Sequence, residues 1–253
     1  MNVSIIGSGN VAAVLARLCL QKGHKIQQIL ARNTEAAQKL AQEVGARANN
    51  IHTYIPLESD LIIVALSDHS LPEALAELYF KGVPVVHTAG AVSVHVLKNN
   101  ADNYGVLYPL QSLRKEMEII PPIPFLIEAN NENTFQFIQN FAATLSNNVK
   151  AEGEENRLKL HAAAVVVNNF TNYLYILAED FCKRENVDFD LLKPLIKETA
   201  ERIQDRSPGL LQTGPAVRND ITTIKKHLEL INAYPELINI YELLTVGIKK
   251  NSQ

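Results

Sequence analysis

Between Glu155 and Arg184 the chain carries His161, Asn168, Asn169 and Asn172 among alanines and valines, with no proline or glycine to interrupt a helix. Polar groups in an apolar helix require partners. His161 and Asn168 stand seven residues apart and fall on nearly one face of an α-helix; Asn168 and Asn172 are one turn apart, and Asn169 lies about 100° round from Asn168. An imidazole titrates near neutrality. Such a stripe, facing a cleft, can hydrogen-bond a carbonyl or imine and release a proton as hydride arrives, with His161 as acid or base and Asn168 and Asn169 orienting the reacting group. The same stripe can equally be a satisfied polar seam between helices or across a dimer interface.

A second cluster runs Thr213-Gly214-Pro215-Ala216-Val217-Arg218-Asn219-Asp220, with His227 beyond it. Asp220 is fully explained as the N-cap of a helix starting at Ile221. Arg218, on a loop shaped by glycine and proline, suits a carboxylate clamp. His227 can approach His161 from a neighbouring helix or a partner subunit, or it can be an exposed helix histidine beside Lys225 and Lys226. Gln111 and Ser112, in Tyr108-Pro109-Leu110-Gln111-Ser112, are further polar candidates for lining a cleft.

The elements that would position these groups begin at the N-terminus. Val3 to Ile6 is a short apolar run; Gly7-Ser8-Gly9-Asn10-Val11-Ala12 follows, and Val11, Val14, Leu15 and Leu18 recur at helical spacing until Lys22-Gly23. In Gly7-x-Gly9-x-x-Ala12 the first glycine permits a tight turn. The second lets the backbone approach a pyrophosphate, and the small third residue lets helix pack on strand. The N–H groups of the helix start then face the anion. After the second strand a protein selecting NAD places an acid, whereas this chain has Ala31-Arg32-Asn33-Thr34, which points to NADP(H), with Arg32 on the 2′-phosphate and Asn33 beside it. Arg32 can otherwise be a solvated surface charge. Leu66-Ser67-Asp68 and Thr88-Ala89-Gly90 end later strands at the same sheet edge, where ligands bind in open α/β folds. Asp68-His69 lacks the further partners that a metal site needs.

Strands are expected at Lys25 to Ala31, Ile51 to Ile55, Asp60 to Leu66, Val83 to His87, Gly105 to Tyr108 and Phe125 to Glu128. Helices are expected at Thr34 to Val44, Leu71 to Tyr79 and Thr134 to Leu145. This alternation implies an α/β fold with a doubly wound parallel sheet over residues 1–150. From 151 to 253 the strands stop, and helices are expected at Glu155 to Arg184, Leu191 to Arg202, Ile221 to Ile231 and Pro235 to Lys249, with a long loop from Gln204 to Arg218.

A formal net charge of −3, from 24 basic and 27 acidic residues, leaves no basic block for nucleic acid or an anionic bilayer. No apolar stretch reaches the roughly twenty residues that span a membrane. The two cysteines, Cys19 and Cys182, lie among apolar helical neighbours and are expected buried and reduced, which fits a cytoplasmic protein.

The Gly-Ser-Gly-Asn-Val-Ala turn, the Ala-Arg-Asn after the second strand and the long helix after the sheet resemble the superfamily of pyrroline-5-carboxylate reductase, ketopantoate reductase, 6-phosphogluconate dehydrogenase and the β-hydroxyacid dehydrogenases. More closely, Tyr108 to Ser112, His161-Ala162-Ala163-Ala164 with Asn168-Asn169-Phe170, and Thr213-Gly214-Pro215 with Arg218-Asn219-Asp220 look like a bacterial family of Rossmann-like NADP oxidoreductases with a helical C-terminal domain of unknown function. The resemblance implies a Rossmann domain followed by an all-helical domain like that of 6-phosphogluconate dehydrogenase. It also implies NADPH-dependent reduction of a carbonyl or imine, an active site between the domains, and a homodimer formed through the helical one; Arg218 as a clamp makes the expected substrate small and anionic. One departure stands out. β-Hydroxyacid dehydrogenases use a lysine and an asparagine four residues apart on the long helix, and here Asn168-x-x-x-Asn172 has no lysine; His161 takes the proton-donor role in this reading. The rival reading is a dinucleotide-binding regulatory or scaffold protein without hydride transfer.

Overall fold

The computed structural model describes residues 1–52, 58–76 and 78–251. It contains two compact units, Met1–Val166 and Val167–Gln253.

The first unit is built on a sheet whose strands all neighbour in parallel except for one pair. The strands are β1 (Asn2–Ile6), β2 (Lys25–Ala31), β3 (Arg47–Asn50), β4 (Leu61–Val64), β5 (Val85–His87), β6 (Tyr104–Pro109), β7 (Phe125–Ala129) and β8 (Val149–Ala151). Their spatial order is β3-β2-β1-β4-β5-β6-β7-β8, and β6 and β7 form the antiparallel pair. Chain order reverses at β1, so the crevice beyond the carboxyl ends of β1 and β4 is the topological switch point where such sheets bind ligands. The α/β expectation holds.

Side-chain alternation along the strands feeds two cores, one on each face. Val3, Ile5 and Ile63 pack on one face with Val14 and Leu15 of α1 (Asn10–Gln21), Leu40 of α2 (Thr34–Val44) and Phe141. Ile6, Ile62 and Val64 pack on the other with Leu71 and Leu75 of α3 (Leu71–Leu75), Leu97 and Tyr108. Phe141 belongs to α4 (Glu132–Leu145), which follows β7. A helix α5 (Glu154–Ala164) closes the first unit.

The structure departs from the sequence expectations in several places. The third strand is Arg47–Asn50 rather than Ile51 to Ile55, of which 53–55 lie outside the described residues. Its polar residues carry no apolar period because it is an edge strand, held by pairing with β2 and by Asn49 Nδ2 donating to Gln28 Oε1 at 2.9 Å. The second is β8, an unexpected three-residue strand at the other edge, also too polar and short to announce itself. Third, the long helix is not α-helical throughout: Val165–Phe170 form a π-helical stretch before α6 (Thr171–Arg184). The 3.6-residue period used to align Asn168 with His161 therefore does not run through this stretch. Fourth, the loop after α7 (Lys193–Arg202) contains a single-turn helix, α8 (Pro208–Leu211). The change from strands to helices read at residue 150 precedes the structural division at Val166, since α5 belongs with the sheet.

The second unit is helical, with α9 (Ile221–Leu230) and α10 (Pro235–Asn251) following α8. Asp220 caps α9 as expected, its carboxylate accepting from Thr223 N at 3.0 Å and from Thr223 Oγ1 at 2.8 Å. Both cysteines are free and buried, and burial pushes the Cys19 thiol up to about 12, so it is inert as a nucleophile.

Candidate active site at the carboxyl edge of the sheet

The turn after β1 is shaped for close approach. Gly7 sits at φ +128°, and a Cβ there would stand 2.2 Å from the carbonyl oxygen of Ala65, at the end of β4. Only glycine fits both the dihedral and the space. Gly9 is the N-cap of α1; it offers no side chain to the helix start, no acid occupies the first turn, and nothing lies within 4 Å of where a Cβ would be. The positive end of the helix dipole is therefore left uncapped by the chain's own side chains, as an anion-binding helix start requires. Ser8 is half-buried and Val11 partly so, while Asn10 accepts from Lys115 N at 3.2 Å and ties the turn to the chain beyond β6.

Arg32 and Asn33 follow β2 at the same edge. Arg32 is exposed and forms no salt bridge among the described residues. Asn33 spends its side-chain oxygen on the N-cap of α2, accepting from Ala36 N at 3.0 Å. Leu66, Ser67 and Asp68 leave β4. Ser67 Oγ is hydrogen-bonded to Ser70 Oγ at 2.6 Å, and Asp68 accepts from the N–H of Ala91, just past Ala89 and Gly90, at 3.2 Å. The loops after β4 and β5 are thus joined.

Gly90 is where the candidate chemistry converges. A Cβ on Gly90 would lie 2.8 Å from His161 Nδ1 and 3.0 Å from Tyr108 Cε2. His161 Nδ1 and Tyr108 Oη share a hydrogen bond of 2.8 Å, with the rings edge-on at 68°. Burial pushes the Tyr108 phenol above its ordinary range, and the Asp68 carboxylate adds to this while the Arg157 cation opposes it. Tyr108 opens the segment whose Gln111 and Ser112 were candidates for lining a cleft. Both are exposed; Gln111 Nε2 donates to Pro122 O, and Gln111 Oε1 accepts from Ser112 N.

Three functional-looking residues escaped the sequence reading. Tyr108 is one. Arg157 is wholly buried, ion-paired with Glu128, and donates to the carbonyls of Gly90 at 3.3 Å and Val92 at 2.7 Å. Its sequence signal was its place four residues before His161, on the same face of α5. His87, the last residue of β5, is buried with Nδ1 accepting from Ala89 N at 3.2 Å. Burial first and the Arg157 cation second push its imidazole down to about 4, against a weaker pull from the Ser93 carbonyl.

In the second unit, Asn168 and Asn169 are exposed on the π-helical stretch, and Arg218 is exposed on its loop. His227 Nδ1 shares a 2.8 Å hydrogen bond with Tyr241 Oη beside a cavity of about 250 Å³ lined by Thr213, Gly214, Pro215 and Ala216.

A glycine turn at the switch point of a doubly wound sheet, with an imidazole–phenol pair at the same edge, defines a dinucleotide-binding protein of the Rossmann class. Residues 2–90 match a family model described as NADP oxidoreductase, coenzyme F420-dependent, and residues 123–248 match a domain of unknown function, DUF2520. The chain is 37% identical to a candidate NADP oxidoreductase from Bacteroides fragilis, with 98% of each chain covered and a TM-score of 0.90. It belongs to that family of NADP oxidoreductases. It also shares its fold with an imine reductase from Myxococcus stipitatus solved with NADP+ (14% identity, 99% and 93% coverage, TM-score 0.67). The same holds for a pyrroline-5-carboxylate reductase from Streptococcus pyogenes (13% identity, 99% and 98% coverage, TM-score 0.64). No curated protein matches the chain.

Proposed function

We propose that the protein binds NADP(H) along the carboxyl edge of its sheet and reduces a small, anionic carbonyl or imine compound, with His161 and Tyr108 managing the proton. The observation that carries this is the 2.8 Å bond between His161 and Tyr108 against the backbone of Gly90, at the edge where the glycine turn opens. The cradle fits a dinucleotide: Gly7 lets β1 and β4 close together, and Gly9 leaves the start of α1 bare. Gly7, Ser8, Gly9, Asn10 and Val11 would hold the pyrophosphate, Arg32 the 2′-phosphate, and Leu66, Ser67, Asp68, Ala89 and Gly90 the remainder. The bound nicotinamide supplies hydride. His161 and Tyr108 hold one proton between them and can pass it to the oxygen or nitrogen that gains the hydride, one donating as the other resupplies it.

A homodimer through the helical unit belongs to the same proposal. Val167, Phe170, Leu191 and Leu210 are 72%, 59%, 76% and 83% exposed, an apolar surface that a second copy would cover. No helix among the described residues is long and apolar enough to cross a membrane, and two buried free thiols suit a reducing cytoplasm.

Calorimetric titration with NADPH and NADH tests the proposal. NADPH binds more tightly, and Arg32→Glu weakens it about tenfold or more, the loss of one or two charge-assisted hydrogen bonds. Binding of neither nucleotide overturns it.

A further inference from the structure

We propose that Arg157 is the positioning residue of this site: its buried guanidinium holds Gly90, Tyr108 and His161 in mutual register. The inference rests on the reading of His161 and Tyr108 as the proton-managing pair.

An arginine with no exposed surface is costly to bury unless its donors are met. Here the guanidinium is met on three sides. Nη1 donates to the Glu128 carboxylate, Nη2 to Val92 O and Nε to Gly90 O. Each partner leads to one piece of the site. Gly90 forms the backbone wall against which His161 and Tyr108 stand. Glu128 lies opposite Val106 in the β6–β7 ladder, two residues before Tyr108, so the ion pair is anchored to the strand that carries the phenol. Arg157 itself lies one turn before His161 on α5. A shift of the guanidinium therefore reaches the wall, the phenol's strand and the imidazole together.

The tolerance is narrow, since even a methyl group on Gly90 would meet His161 Nδ1 at 2.8 Å. His87 ties the same loop from below by accepting from Ala89 N, and it stays neutral beside the Arg157 cation, which avoids placing two buried cations together. Lysine, a point charge on a flexible stem, cannot reproduce the planar fork.

The test uses the full chain labelled with ¹³C-tyrosine and ¹⁵N-histidine, unaltered and as Arg157→Lys and Arg157→Gln. Both variants are expected to lose the nuclear magnetic resonance signature of the Tyr108–His161 hydrogen bond, the lysine failing to rescue it. Turnover, once a substrate is in hand, is expected to fall about a hundredfold from misplacement of the pair. Retention of the signature in both variants, or its restoration by lysine, overturns the proposal. If the Arg157 variants do not fold, Glu128→Gln keeps the guanidinium and its two carbonyl bonds while removing the carboxylate that aims it; an unchanged signature there overturns the proposal equally. NADPH calorimetry on the unaltered chain runs beside these spectra. Failure to bind the nucleotide would sink the oxidoreductase reading while leaving the register of Tyr108 and His161 to be decided by resonance.

Discussion

Tyr108 and His161 are separated by 53 positions and meet at 2.8 Å. His161 was legible as a polar residue on an apolar helix, whereas Tyr108 looked like the last residue of a buried strand, where its ring indeed packs. What singles it out is the hydroxyl, and only the partner reveals that. Tyr108→Phe keeps the ring and removes the bond; His161→Ala removes the imidazole. Steady-state assay is expected to show turnover reduced about a hundredfold or more by His161→Ala, the usual weight of a general acid, with Tyr108→Phe falling in the same direction. An unchanged rate with a collapsed oligomer would make His161 part of a structural seam instead.

At the scale of elements, β5 shows how a strand can bury a titratable group. It is short, Val85–His87, its two edges are paired with β4 and β6 and all three of its residues are buried, so its histidine is driven neutral. The sign follows from linkage. An imidazole held at about 4 in the folded chain against 6.5 in the free residue is unprotonated in the native state when the unfolded chain already takes up a proton. Its contribution is fully present above pH 6.5 and is lost as the pH falls through that value toward about 4, a change on the order of 3 kcal/mol. Denaturant unfolding measured across this window is expected to lose stability more steeply for the native chain than for His87→Asn; parallel profiles would show that His87 is not the group responsible. The π-helical stretch Val165–Phe170 teaches the complementary lesson. Face assignments made by counting 3.6 residues per turn hold within α5, where Arg157 and His161 align, and fail once a turn takes an extra residue.

For the whole molecule, the two units differ in how far one chain completes them. The first has extensive buried cores on both faces of its sheet. In the second, Cys182, Ala216, Ile224 and Ile231 are the hydrophobic residues buried among those described, while Leu210 and Leu191 stand largely open to solvent. A homodimer would cover such a surface. Sedimentation equilibrium is expected to give twice the 28.1 kDa chain mass, and Phe170→Asp to shift the population toward monomer. A monomer at every concentration tested would overturn the dimer.

The sequence by itself determined what depends on a few neighbouring residues. The Gly7 turn, the Asp220 cap and the alternation of strand and helix could be read directly, because dihedral preference, capping and periodicity are local. The tertiary structure alone decided the rest. β3 and β8 exist through pairing rather than pattern, Arg157 is buried because Glu128 and two carbonyls from distant segments surround it, and Tyr108 gains its partner only when sheet and α5 are packed. Those contacts join residues far apart in the chain, and their energy resides in burial and complementarity, which the spacing of residue types does not encode.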